Sequence, residues 1–450
     1  MYENAETIAR WTGELKAKTT MDPVLYDAYG VKRGLRDKNG KGVLSCLTEI
    51  SQVQGKQLVD GKEVPCEGKL CYRGYSIFDL VRGESARKHC LAEECAYLLL
   101  FGSLPNQAQL REFSDALAQS RTLPQNFTRD VIMKAPSSDV MNTLTRSVLT
   151  LSAYDPKALD TSLDNVLRQS LILIGTLPLM TVYGYHAYHH YCQDGSFYIH
   201  HPDENLTMAE NLLMMLRPDR HFTDLEAQVL DLALVLHMEH GGGNNSAFTT
   251  HVVTSAGSDT YSVMAAALCS LKGPKHGGAN LQVVGMMDDL RAQVADTTDR
   301  EQVERYLTRV LHGEEFDHSG LIYGMGHAVY SLSDPRAVIF KSFVKRLAQE
   351  KGRQEEYALY AMVEELAPEV ISRERRIYKG VCANVDFYSG FVYRMLDIPQ
   401  ELFTPIFAVA RMVGWSAHRM EELSVGGKLI RPRYECVEEH RSYIPMEQRK

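Results

Sequence analysis

The sequence describes a mainly α-helical protein with a small N-terminal β-region. Apolar residues recur with the helical period along most of the chain. Segments such as 210–216 (ENLLMML) and 229–238 (VLDLALVLHM) are apolar almost all round, the pattern of helices buried on most sides. β-Type stretches with Gly-containing turns occur only near the N-terminus. With 450 residues the chain has room for roughly two or three domains.

In chain order, residues 43–53 and 69–77 read as short strands, with turns at Asn39-Gly40 and Asp60-Gly61. Residues 92–101 place Ala96, Leu99 and Leu100 on one helical face. Segment 185–201 reads as a loop between helices. It holds His186, His189, His190, His200 and His201, so a metal site competes there with plain surface. Thr223 and Glu226 form a capping box for a helix running to about His240. That helix stops at Gly241-Gly242-Gly243, since triglycine is a poor helix interior. Ser258 can cap a small-residue helix that ends at Lys272-Gly273-Pro274, and another helix follows Gly277-Gly278 and runs through Met286 to Val294.

Composition narrows the function. The formal charge of −8 argues against a nucleic-acid footprint. An anionic substrate would need a local arginine cluster acting against the global field. Nine cysteines, an odd number with no C-x-x-C spacing, read as reduced thiols of a cytosolic protein. The acidic start, with Glu3, Glu6 and Glu14, fits neither a secretory nor a mitochondrial leader. No run is expected to reach the ~18 apolar residues of a membrane span. The expectation is a cytoplasmic protein without membrane, nucleic-acid or metal partners. P-loop, dinucleotide-binding, nucleophile-elbow and His-Glu-x-x-His motifs are absent.

Polar residues instead gather beside glycines at helix ends. His237 and His240 lie near one helix C-terminus, and His276 stands just before Gly277-Gly278. His327 follows Gly324-Met325-Gly326, and Asp386 sits in the segment NVDFYSG. Each alone reads equally as a structural residue; Asp386 could serve as a helix cap. A set of arginines accompanies them. Arg336 follows Asp334-Pro335, Arg411 is embedded in FAVARMVGW, and Arg431 and Arg433 flank Pro432. Singly these read as surface charge, but a guanidinium in an apolar helix calls for an anion.

Five segments together resemble the citrate synthase family: 236–258 (LHMEHGGGNNSAFTTHVVTSAGS), 273–280 (GPKHGGAN), 323–337 (YGMGHAVYSLSDPRA), 384–399 (NVDFYSGFVYRMLDIP) and 403–433. KLCYRGYSIFDL at 69–80 resembles that family's RGY segment. The resemblance implies the citrate synthase fold. A large domain would comprise 1–273 and 391–450, and a small domain 274–390 would bind CoA and carry the catalytic Asp. It implies that Asp386 removes a methyl proton from acetyl-CoA, that His276 hydrogen-bonds the thioester oxygen, and that His327 polarises the ketone of oxaloacetate. It places His240, Arg336 and Arg411 on the dicarboxylate. Arg431 would come from the partner in a homodimer with a shared active site. Acetyl-CoA and CoA would be substrate and product, with no permanently bound cofactor.

The residue types suit that chemistry. A thioester α-proton is too weakly acidic for Asp386 alone, so a neutral imidazole must meet the forming enolate; the helix start after His276 would disfavour the imidazolium. An alkoxide at the ketone needs an oxyanion-type donor, and planar guanidiniums pair with carboxylates bidentately. Two departures from the family pattern stand out. Gly241 replaces a glutamate after His240, and Ala328-Val329-Tyr330-Ser331 lacks the cations that relatives often carry near the CoA phosphates. Lys272, Lys275, Lys341 and Lys345 are the remaining candidates for that contact. A sister activity on propionyl-CoA, 2-methylcitrate synthesis, differs by one methyl group, worth about 1–3 kcal/mol in an apolar pocket, and the sequence leaves it open. A metal hydrolase or a non-catalytic helical protein would leave GPKHGGAN and Arg411 unexplained.

Overall fold

The computed structural model describes residues 4–37, 40–84, 90–376 and 380–449. Asn39 of the expected 39–40 turn lies outside them, while Gly40 has φ +79°. The chain divides into two units, Met1–Thr48 and Glu49–Lys450.

The first unit carries α1 (Ala5–Lys18), capped by Asn4, and α2 (Pro23–Ala28), capped by Asp22 with Pro at the first position. Neither helix buries a residue. Ile8, Trp11 and Leu15, spaced to share one face of α1, are exposed. The strand expected from residue 43 does not form there; it begins at Ser51, where pairing to Tyr72 becomes available.

The second unit opens with an antiparallel sheet in the order β1 (Ser51–Val59), β2 (Lys62–Tyr72), β3 (Tyr75–Ser76). The β1–β2 hairpin turns at Asp60-Gly61, both with positive φ. β2 starts seven residues earlier than the expected 69, because Glu63, Pro65 and Glu67 mask its β-signal while the hairpin register still pairs Lys62 with Val59. Helices follow: α3 (Ile77–Glu84), α4 (Leu91–Phe101), α5 (Gln107–Gln119), α6 (Val140–Leu151), α7 (Leu163–Gln193), α8 (Met208–Leu216), α9 (Asp224–Met238), α10 (Asn245–Ser255) and α11 (Thr260–Leu271). Beyond them lie α12 (Ala279–Gln293), α13 (Arg300–Leu311), α14 (Pro335–Glu350), α15 (Gln354–Arg375), α16 (Val385–Met395) and α17 (Phe403–Ser424). The mainly α expectation holds.

α7 and α17 form the spine of the core. α17 packs on α4, α7, α9 and α10, and buries nearly every residue from Phe403 to Arg419. α7 corrects two expectations. It runs through 185–193, so half of the histidine-rich loop is helix, and buried His186 hydrogen-bonds the Met215 carbonyl at 3.2 Å. By length and apolarity α7 would also suffice to cross a membrane, yet its most apolar window is 78 % buried inside the protein, against α5, α6, α8 and α17. The capping box at Thr223–Glu226 is present. α9 stops at Met238, two residues short of expectation, because Glu239 turns to extended backbone. Asp259, not Ser258, caps α11 through the Ser262 amide at 3.0 Å; the Ser258 carbonyl is instead bound by Arg419 at 2.9 Å.

Candidate active site

Five helix ends, one loop and the middle of α17 in the second unit bring together the expected residues other than Arg431. α9 ends just before Glu239 and His240. Gly414 lets α17 lie against this end, since a Cβ there would come within 2.5 Å of the Met238 carbonyl. Arg411, one turn earlier on α17, is buried and donates from Nε to the His237 carbonyl at 2.6 Å. Its guanidinium also lies 4.7 Å from the centre of the Phe407 ring. Burial lowers its pKa to about 10, with the Glu239 carboxylate opposing and Arg336 adding to the fall. Arg411 is therefore a desolvated cation whose charge is only partly answered by protein.

Arg336, at the second position of α14, is also buried and forms a two-pronged pair with its N-cap Asp334 at 3.0 and 2.7 Å. Burial works against its charge, but Asp334 outweighs it and the pKa rises. His240 lies between these cations. Burial, then Arg336, His327 and Arg411, hold it well below the usual imidazole range, so it is neutral. Its Nε2 is buried with no hydrogen-bond partner among the described residues.

His327 projects from the 321–334 loop. Its Nδ1 accepts the Val329 and Tyr330 amides at 3.1 and 3.2 Å. A nitrogen facing two N–H donors carries no proton, so the neutral ring must be protonated on Nε2. The ring stacks on Tyr330 with centroids 4.7 Å apart and meets His240 edge-on at 4.9 Å. The sheet supports this loop. β1 carries a bulge at Gly55, where a Cβ would come within 2.4 Å of the Val329 carbonyl. On β2, a Cβ at Gly68 would come within 2.2 Å of the Ser333 carbonyl. The Gly68 amide also donates to Ser333 Oγ at 3.1 Å.

The same loop is tied to the start of α16. Met325 and Ala383 form an isolated antiparallel bridge. The Gly326 amide donates to the Cys382 carbonyl at 2.8 Å, and the Asn384 side chain to the Gly326 carbonyl at 2.9 Å. Asn384, not Asp386, caps α16, accepting the Asp386 amide at 3.0 Å. Asp386 is thus free of capping duty, at the second position of a helix that also buries Tyr388. Burial pushes its pKa up to about 6, even though Arg336 and Arg411 pull the other way.

His276 sits between α11 and α12. Its Nε2 meets the Ser246 amide at 3.3 Å and Ser246 Oγ at 2.9 Å. The amide can only donate, which leaves the ring proton on Nδ1. Ser246 Oγ is fixed in turn by Trp415 Nε1 at 3.2 Å. The pKa of His276 falls to about 4 through burial and then Arg411. The imidazole is neutral as the chemistry needs, though the causes are burial and a buried cation rather than the expected helix terminus. Ser246 escaped sequence reading because one serine in GGGNNSAF gives no signal of its ring partner thirty residues on.

Arg431 and Arg433 lie outside this cluster. Both are exposed in the irregular segment after α17, and Arg433 pairs with Glu435. Of the lysine candidates, Lys272 is engaged by Asp139 and Lys341 by Glu364 at 2.6 Å, while Lys275 and Lys345 are exposed.

Two neutral imidazoles with assigned donor nitrogens, a carboxyl lifted toward neutrality and two buried guanidiniums mark an acyl-transferring enzyme of helical architecture. The family model described as citrate synthase, C-terminal domain, matches residues 35–433. The citrate synthase of Synechocystis sp. is 34% identical over 412 residues, 91% of this chain and 92% of that protein. 2-Methylcitrate synthase 1 of Corynebacterium glutamicum is 31% identical over 425 residues, 93% of this chain and 98% of that protein. A solved citrate synthase from Thermoplasma acidophilum, in ternary complex with carboxymethyl coenzyme A and oxaloacetate, superposes with a TM-score of 0.75 at 26% identity, covering 93% of this chain and 99% of that one. The chain belongs to the citrate synthase family.

Proposed function

We propose that the protein condenses acetyl-CoA with oxaloacetate and water to give citrate and CoA. The observation that carries this is the protonation pattern. His276 is neutral with its proton on Nδ1, while Asp386 is raised to about 6. Asp386 takes a proton from the acetyl methyl as His276 Nδ1–H binds the thioester oxygen, so the enolate charge is met as it forms. The new nucleophilic carbon adds to the keto carbon of oxaloacetate. His327 Nε2–H donates to the developing alkoxide. Water then cleaves the citryl thioester, giving a carboxylate and the free thiol. His240, Arg336 and Arg411 hold the keto diacid; the partly answered charge of Arg411 suits an incoming carboxylate.

The reading includes a homodimer in which Arg431 completes the partner's dicarboxylate site. Its support is that Arg431 is exposed beyond α17, away from the cluster in its own chain. The apolar face of α1, exposed within its own unit, adds to it. It also includes a small domain, 274–390, closing over the large one to exclude water from the enolate. The second reading, propionyl-CoA as the acyl donor, is favoured by the 2-methylcitrate synthase relative.

The test is thiol release with oxaloacetate plus either acyl-CoA. Faster turnover of acetyl-CoA is expected; a propionyl preference would install the second reading, and no release with either would remove both. Mixing inactive Arg431→Ala and Asp386→Asn subunits should restore part of the activity if sites are shared. Mixtures that stay dead would remove the shared site.

A further inference from the structure

Beneath the His240–Gly241 turn runs a buried chain of four titratable side chains that none of the steps above uses. Glu239 Oε1 lies 3.1 Å from His418 Nε2. His418 Nδ1 lies 3.2 Å from His251 Nε2, and His251 Nδ1 lies 2.8 Å from Glu422 Oε2. None of the four is more than 7 % exposed. Gly242 closes on the two rings, since a Cβ there would lie 3.1 Å from His418 and 3.3 Å from His251.

Proton counting fixes the charge of this chain. Each of the three contacts brings two lone-pair atoms together unless one proton sits between them; the Glu239–His418 approach is an ion-pair contact and not an aligned hydrogen bond. Filling all three takes one proton more than two neutral imidazoles and two carboxylates supply, and the chain shares that proton. Burial and the neighbouring ring disfavour a cation on His251, and His418 is the ring that faces the Glu239 carboxylate. Burial alone would raise Glu239, but His418, Arg411 and Ser51 hold it at about 2.

Glu239 is the link to the substrate site. The same oxygen that faces His418 accepts the Gly241 amide, which closes the turn after His240, and Ser51 Oγ at 2.8 Å. Its other oxygen would come within 2.6 Å of a Cβ at Gly414, and its charge is the chief one sustaining Arg411 as a cation. The other ionisable groups acting on the chain are Tyr72 of β2, beside Glu239, and Glu421 of α17, beside His251.

We propose that His418 and His251 are positioning residues for the keto-diacid site, acting through a shared proton that locks Glu239 beneath His240 and beside Arg411. This rests on the functional reading above. Loss of the proton leaves two acceptors facing one another at one junction, so Glu239 loosens and diacid affinity falls as pH rises.

The test compares wild type with His418→Gln and Glu422→Gln by thiol release across pH, with unfolding curves to confirm folding. For His418→Gln, the KM for oxaloacetate should rise about tenfold or more while kcat changes far less, and the alkaline loss of kcat/KM should disappear. Glu422→Gln removes one anion from around the proton, so the alkaline loss should move to lower pH; this variant decides the matter if His418→Gln fails to fold. Thiol release by wild type together with unchanged oxaloacetate KM and pH profile in the folded variants overturns the proposal alone. No thiol release by wild type overturns the functional reading and this proposal with it.

Discussion

Replacing Asp386 by Asn separates the cost of the candidate base from its use. The carboxyl is raised from 3.8 to about 6 by burial. An unfolded chain ionises this group from about pH 4 upward, whereas the folded chain resists until about pH 6. The folded state therefore binds more protons across that window, and Asp386 lowers stability as pH rises through it. Above pH 6 the loss is constant, about 3 kcal/mol at 1.36 kcal/mol per pKa unit, an upper figure because Asp386 keeps some contact with solvent. Asn fits the same space without charge and leaves the Asn384 cap intact. Asp386→Asn should thus be more stable than wild type at pH 8 by as much as that amount, the difference shrinking toward pH 4. Urea unfolding at pH 8 and at the lowest pH that preserves the fold reads the difference directly. The same variant should lose about 10²–10⁴ in kcat with little change in oxaloacetate binding. In wild type, kcat/KM should fall below about pH 6, where the base becomes protonated. An Asn variant no more stable than wild type at pH 8 would refute the burial argument, and one that keeps its activity would refute the base.

Three further outcomes follow from the geometry. Ser246→Ala removes the hydroxyl at 2.9 Å from His276 and should lower kcat by about tenfold, the scale of losing a net hydrogen bond of roughly 1–1.5 kcal/mol, leaving oxaloacetate KM near wild type in steady-state assays. Gly68→Ala drives a Cβ toward the Ser333 carbonyl, 2.2 Å away; it should displace the His327 loop and reduce kcat although β2 is not expected to touch substrate, whereas Gly83→Ala in α3, with open space around it, should spare kcat. Arg336→Met leaves Asp334 buried without its cation and should cost about 3–5 kcal/mol of unfolding free energy in guanidinium titrations, besides abolishing oxaloacetate binding.

The helices were legible where their signal is local. The box at Thr223–Glu226 and the small-residue run at 263–271 state their own structure, and both formed. Failures came where a partner distant in sequence decides. The β1–β2 hairpin extends through polar, Pro-containing sequence because its register and the loop around His327 hold it, not because its residues favour strands. α9 ends at Met238 because Glu239 is drawn out of the helix toward His418, Ser51 and Gly241, none of which announces itself in the segment. The histidines and the aspartate were readable as a family pattern, yet their protonation states were not. The proton position on His276 depends on Ser246 and that on His327 on two amides of its own loop. Electrostatic state is a property of packing.

The same logic explains why Arg411 is an informative residue. A guanidinium in FAVARMVGW demands an anion, and a carboxylate bonded to it would have made it a structural ion pair like Arg336–Asp334. Glu239 acts on Arg411 by its field, while the hydrogen bonds traced for that carboxylate go to Ser51 and Gly241, with His418 closing on the same oxygen. Glu239 is held back from Arg411 by its other partners, and the cation keeps bonding capacity in a desolvated place. A buried charge left in this state costs stability. Its counterpart is Asp386, a half-buried carboxylate with no hydrogen-bonded cation among the described residues. Both costs lie in one cluster of side chains, and on the proposed function both would fall when a diacid and a thioester enter, because substrate would then supply what the fold withholds. Arg411→Leu should therefore raise stability or leave it unchanged while removing oxaloacetate binding; a large loss of stability in that variant would show that Glu239 already satisfies the arginine, and that the site is not strained in favour of its ligands.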